Sequence, residues 1–178
     1  MGALLRAQAE IRSRFAAESR VRPVSRGAAR RRSGRGLMPL GFGTHEWAQA
    51  LETAINASSE YRNAAASWGV GFNGNLLLAF ERGGALEQGL YLLLKLERGR
   101  CLAAEFVPGP SRPEAGFTLR APYPIWREIL NGKTLAASAI LTGSMRVEGN
   151  MIALLKHAGA HRSLIHCVSS LDTRFPGA

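Results

Sequence analysis

One aspartate, Asp172, in a chain of 178 residues removes a large share of protein chemistry at the outset. Aspartate-based metal clusters and aspartate-oriented catalytic triads both need more than this. Cysteine is nearly as scarce. Cys101 and Cys167 make neither a disulfide framework nor a zinc site, and a reducing compartment such as the cytoplasm suits them. No apolar run approaches the roughly 18 residues of a membrane span; the most apolar stretches, Leu76–Phe80 and Leu90–Leu94, are strand-sized. Phosphate-binding glycine loops are missing as well. Gly69, Gly71 and Gly74 have neither the spacing nor the strand-to-helix context of a dinucleotide fingerprint, and no GxSxG nucleophile elbow occurs. Nothing calls for a cofactor.

What is present is material for a core. The apolar fraction of 46% is that of an ordinary globular chain, and a domain of about 140 residues can bury close to two-thirds of its surface on folding. The net charge of +10 is not spread over that core. Ten arginines precede Leu37 against only Glu10 and Glu18, which leaves the rest of the chain at +2. A nearly balanced domain implies no polyanionic partner.

The chain therefore divides into a basic arm, residues 1–37, and a domain, residues 44–176. In the arm, Leu4, Leu5, Ile11 and Phe15 fall at helical spacing among Arg6, Arg12 and Arg14. From Arg20 to Gly36 there is almost nothing to bury, and the composition predicts disorder. An amphipathic basic helix fits transient contact with an anionic membrane. The same composition fits an organelle transit peptide. A start at Met38, with upstream residues read from an earlier start site, would also produce the abrupt change there. Specific nucleic-acid binding is disfavoured, because Phe15 is the only aromatic available for base stacking.

Within the domain, Thr44 is placed to cap a helix running to about Ser67, with Trp47, Leu51, Ile55, Ser58 and Tyr61 on one stripe. Strands are expected over 74–81, 89–97, 101–107 and 115–121, arranged as an antiparallel meander with one wet face. Glu97-Arg98-Gly99-Arg100 is a hairpin turn. Pro124 suits a helix first turn, and Gly132 suits its left-handed end. A short Ala-rich helix (134–141), a fifth strand (144–148) and a long final helix (150–171) capped by Asn150 complete the order. Strands clustered between helices argue an α+β fold rather than a doubly wound parallel sheet.

Catalytic or metal-binding groups are few. His157 and His161, four apart on the final helix, have the spacing that lets two imidazoles share a metal. No carboxylate follows locally and Lys156 and Arg162 flank them, so the expectation is a polar helix face without metal. Cys101 could act as a nucleophile beside a histidine, but a strand cysteine is ordinarily a small buried residue. The expectation is a domain without catalysis.

The segment APYPIWREILNGKTLAASAILTGSMRVEGNMIALLKH, Ala121 to His157, resembles the second half of a sterol carrier protein type-two domain. The matching features are Trp126 on a short helix, the Ile129-Leu130-Asn131-Gly132 step, the small-residue helix Ala136–Ile140, and the strand Gly143-Ser144-Met145-Arg146-Val147-Glu148-Gly149. Asp172-Thr173-Arg174-Phe175 resembles the end of bacterial members. The chain departs from the family after Gly132-Lys133, where Thr134-Leu135-Ala136 replaces an Asp-Pro pair and Thr134 is the expected cap. The resemblance implies a five-stranded, mainly antiparallel sheet covered by helices. Between them it implies an apolar tunnel for sterols, fatty acyl chains or acyl thioesters. Leu78, Phe80, Leu92, Leu94 and Phe117 would form its sheet wall. Trp126, Leu130, Ile140, Met145, Met151 and Leu155 would form its helical wall. Function would be carriage of an apolar ligand, or presentation of a lipidic intermediate to a partner enzyme.

Overall fold

The computed structural model describes residues 38–110 and 113–177. The amphipathic stretch Leu4–Phe15 and the arginine-rich stretch after it lie outside these residues. The described chain opens with a two-residue strand, β1 (Leu40–Gly41), followed by helix α1 (His45–Ala57). Thr44 caps α1, its hydroxyl oxygen accepting the Trp47 N–H at 3.2 Å. The single helix expected to Ser67 is interrupted. Ser58 takes an extended conformation and accepts the Tyr61 N–H at 3.0 Å, which ends α1 and caps α2 (Ser59–Ala64). A serine able to bond the backbone ahead of it favours a cap over a helix interior. The apolar stripe survives the break: Trp47, Leu51, Ile55 and Tyr61 are all buried.

Three strands follow, β2 (Leu76–Glu81), β3 (Leu90–Glu97) and β4 (Arg100–Val107), paired antiparallel in sequence. The β3–β4 turn holds Arg98 at φ +47 and Gly99 at φ +74, the primed geometry that matches strand twist. A Cβ on Gly99 would sit 2.5 Å from the Arg62 carbonyl oxygen, so close packing against α2 fixes the glycine a second time.

The fourth strand does not continue the meander. β5 (Phe117–Pro122) returns to the far edge of β2 and pairs with it in parallel, giving the order β4-β3-β2-β5-β6. The Asn73-Gly74-Asn75 segment seats it there. Asn73 and Asn75 each donate Nδ2–H to the Glu114 carbonyl at 2.9 Å, and the Asn75 carbonyl accepts from Gly116 and Phe117 at 3.0 and 3.1 Å. Gly116 lies so close to Asn73 that a Cβ would collide with its carbonyl oxygen. The crossover makes β2 a central strand.

Helix α3 (Tyr123–Leu130) starts on Pro124 in its first turn and ends at Gly132 with φ +70. Thr134 does not cap the next helix, α4 (Ala136–Leu141): Leu135 holds the cap position, and the Thr134 hydroxyl donates to Glu128 Oε2 at 3.2 Å. Edge strand β6 (Arg146–Glu148) pairs antiparallel with β5. The expected long final helix is two, α5 (Met151–Lys156) and α6 (Ala158–Ser169), separated at His157. Asn150 caps the first, its Oδ1 accepting the Ala153 N–H at 3.1 Å. Finally β7 (Thr173–Arg174) pairs in parallel with β1.

Register sorts the strand residues onto two faces. Leu76, Leu94 and Phe117 stand abreast, as do Leu78, Leu92 and Leu119; these join the helices in the main core. The opposite face was expected to be wet, but its centre is not. Leu77 and Leu93 are 0% and 1% exposed there. Their flanks carry ion pairs, Lys95 to Glu105 at 3.6 Å and Arg120 to Glu148 at 3.5 Å.

Candidate functional site

The layer between inner sheet face and helices is built from apolar side chains, many of them aromatic. Among the described residues the buried polar side chains are Ser163 and Thr118, the latter on the opposite sheet face abreast of Leu77. At one end of the layer Phe42 packs against Trp47, Phe80, Phe106 and Phe175 with centroid distances of 5.0–5.8 Å. Phe80 continues to Trp126 at 4.8 Å. The polar handles are satisfied: Trp126 Nε1–H donates to the Ala79 carbonyl and Trp47 Nε1–H to the Thr173 hydroxyl, each at 2.9 Å. Tyrosine and tryptophan enter cores at little cost when such partners exist.

At the other end Trp68 is the centre, with Phe72 and Phe117 both at 5.2 Å and His157 and His161 edge-on at 5.3 and 5.0 Å. Trp68 Nε1–H donates to the Gly74 carbonyl at 2.7 Å. A Cβ on Gly74 would lie 2.6 Å from that same nitrogen, which is why no side chain stands there. His157 is bonded through both nitrogens, Nδ1 to the Ala153 carbonyl at 2.8 Å and Nε2 to the Ser67 hydroxyl at 3.2 Å.

The expectation that His157 and His161 form a polar helix face is therefore corrected. Both rings turn inward onto Trp68, and only Lys156 and Arg162 beside them are exposed. Burial first, and the neighbouring His157 second, lower the His161 pKa to about 4. The ring is neutral at pH 7. The signal was present in the sequence: Leu154, His157, His161, Leu164 and Val168 recur at three and four residues, the stripe of one buried helix face.

Of the residues expected on the ligand walls, Leu78, Phe80, Leu92, Leu94 and Phe117 lie buried on the inner sheet face. Trp126, Leu130 and Met145 are buried opposite them, and Ile140 is half-buried against the same core. Leu155 is half-buried and Met151 is 36% exposed, both outside the main cluster. The buried position on α5 belongs to Leu154. Leu130 also borders an open cleft of about 530 Å³ with Val168, Leu171 and Phe175.

Cys101 is a packed strand residue. Its thiol donates to the Ala103 carbonyl at 3.3 Å, and burial pushes its pKa up to about 12. Such a thiol holds its proton at neutral pH and is a poor nucleophile. Tyr61, between Cys101 and Cys167, is pushed up by burial as well.

These features define an α+β domain with a mixed five-stranded sheet, helices closing one face, and an apolar layer between. Residues 74–161 match the SCP-2 sterol transfer family. The chain is similar to a crystal structure of sterol carrier protein 2, with 29% identity, 73% of this chain and 98% of that one covered, and a TM-score of 0.64. It is also similar to a conserved hypothetical protein of Thermus thermophilus, a candidate sterol carrier protein. There the identity is 28%, the coverage 80% and 97%, and the TM-score 0.65. No curated protein matches the chain. Among the described residues no helix is long and apolar enough to cross a membrane.

Proposed function

We propose that this domain binds and carries a lipid, of the sterol, fatty acid or acyl thioester class, in the layer between sheet and helices, without chemistry on it. The match to the sterol transfer family carries the reading. The apolar make-up of this layer supports it, since burying an apolar ligand there gains about 25 cal/mol per Å² removed from water. Leu78, Phe80, Leu92, Leu94 and Phe117 are proposed to line the sheet side, and Trp126, Leu130, Ile140, Met145 and Leu155 the helical side. The exposure of Met151 supports a place for it at the rim. Basic residues 1–37 are proposed as an extension separate from this carrier domain.

Native mass spectrometry of the purified chain, followed by solvent extraction, tests the reading. Added mass that extracts as a lipid is the expected result. An empty protein that also fails to take up fluorescent fatty acids or sterols would overturn it. Leu155→Trp, if folded, is expected to reduce uptake, and unchanged uptake would remove Leu155 from the wall.

A second reading rests on a different observation. Leu135, Leu141 and Ile152 are 50%, 46% and 80% exposed on or beside α4 and α5. A partner enzyme covering that stretch would make the domain an accessory protein that presents a lipidic intermediate. Co-purification of a stable complex, lost on replacing Ile152 with Ser, is the outcome that favours it.

A further inference from the structure

The aromatic cluster around Trp68 contains one hydrogen bond that the protein does not complete. His161 Nε2 has essentially no accessible surface and no partner among the described residues. Its surroundings explain why. Trp68 has committed its only N–H to the Gly74 carbonyl, and both nitrogens of His157 are bonded. Phe72 and Phe117, the remaining rings of the cluster, offer no polar atom. A buried polar atom left unpaired costs stability and calls for an explanation. Phe117 supplies one. It packs on Trp68 at 5.2 Å and is also a proposed wall residue, so a single indole joins the His161 ring, 5.0 Å from Trp68, to the proposed binding layer.

Resting on the carrier reading above, we infer that His161 Nε2 receives the polar end of the bound lipid, and that this end is an uncharged hydroxyl. Burial keeps the imidazole neutral at pH 7. A neutral imidazole presents either one N–H or one lone pair at Nε2, depending on its tautomer. A hydroxyl can meet both forms, because it donates and accepts. A carboxylate can meet only the N–H form, and it would bring a charge into a cluster whose nearest basic neighbours in sequence, Lys156 and Arg162, are exposed. The chemistry thus selects alcohols, sterols among them, over fatty acids of equal length.

The experiment compares 1-dodecanol, dodecane and dodecanoate on the full chain at pH 7, with dissociation constants measured by native mass spectrometry or calorimetry. Dodecanol is expected to bind about tenfold more tightly than dodecane, the usual worth of one completed hydrogen bond. His161→Phe is expected to bring the ratio of the two constants to about one, and His161→Gln to restore part of the preference. Equal binding of dodecanol and dodecane by the unaltered chain would overturn the inference, as would a preference for dodecanoate or one that survives in the folded H161F protein. If dodecane binds without any such preference, the carrier reading stands and only the anchor fails. If none of the three binds, both fail. Should H161F not fold, the ¹⁵N shift of His161 Nε2 in the unaltered chain decides. It is expected to move on saturation with dodecanol and not with dodecane, and equal behaviour would overturn the anchor.

Discussion

The two aromatic clusters of the core are made of similar rings at similar distances, yet they differ in how their polar atoms are treated. Around Phe42, the indole N–H groups of Trp47 and Trp126 both reach oxygens of distant segments, and the buried donor left over is Nε of Arg127, whose guanidinium stacks on Phe175 at 5.6 Å. Around Trp68, one indole is satisfied and one imidazole is not. The first cluster joins β2, α1, α3 and the C-terminal segment into one body. The second includes His157, where the final helix breaks although the residue pattern would have continued it. A core can thus carry its unpaired polar atoms in two ways, one on a guanidinium anchored elsewhere on the Pro176 carbonyl and one on a neutral ring.

Substitutions can break this comparison, and the largest effect is expected in the Phe42 cluster. Phe42→Ala removes a ring packed against several others and should cost about 3–5 kcal/mol in chemical denaturation. Phe72→Ala, at a half-buried ring of the other cluster, should cost clearly less. Equal losses would mean that the two clusters do the same structural work.

Acid should separate them next. The His161 pKa falls from 6.5 to about 4 on folding, so between those values the unfolded chain binds more protons than the folded one. Its stabilising contribution is complete above pH 6.5 and is lost as pH falls towards 4, by up to about 3 kcal/mol. His157 faces the same site and contributes to the shift. Denaturation curves from pH 7 to 4 should show this slope, and His161→Phe should flatten it. An unchanged slope in that variant would place the acid sensitivity elsewhere.

Smaller effects sharpen the contrast. Thr44→Ala and Asn150→Ala each remove a helix cap, one beside each cluster, and each should cost about 1 kcal/mol in thermal melts. Ligand affinity should follow only Asn150, which starts the helix leading into His157. Lys95→Ala, which breaks an exposed pair with Glu105 on the other sheet face, should change stability by less than about 0.5 kcal/mol. A larger loss would show that the pair shields Leu77 and Leu93.

Much of this arrangement is legible in the residues. Alternation in Leu76–Phe80 and Leu90–Leu96 marks the inner sheet face, and Thr44, Asn150, Pro124 and Gly132 mark helix ends by local chemistry alone. What local chemistry does not reveal is where β5 goes. Adjacency in sequence favours a meander, and the parallel return depends on Asn73, Asn75 and Gly116 meeting across some forty residues of chain. The two histidines of the final helix are ambiguous for a different reason. Their polarity suggests a surface, while their spacing with Leu154, Leu164 and Val168 puts them inside, and the spacing prevails. Met151 shows the converse: an apolar residue at the first position of α5 is 36% exposed, although it shares a helix face with the buried Leu154 three residues on.

The parallel pairing of β1 with β7 has a mechanical consequence. Leu40 N–H donates to the Asp172 carbonyl at 2.9 Å and Phe42 N–H to the Arg174 carbonyl at 3.1 Å, so the first and last strands run side by side in one direction. A pull exerted through the two ends draws them past each other along their length. Both bonds are then loaded together instead of opening one after the other, and the indole of Trp47 on Thr173 shares the strain. Held between two tethers, the domain should resist in shear, this two-stranded seam being protected by the direction in which the strands were laid.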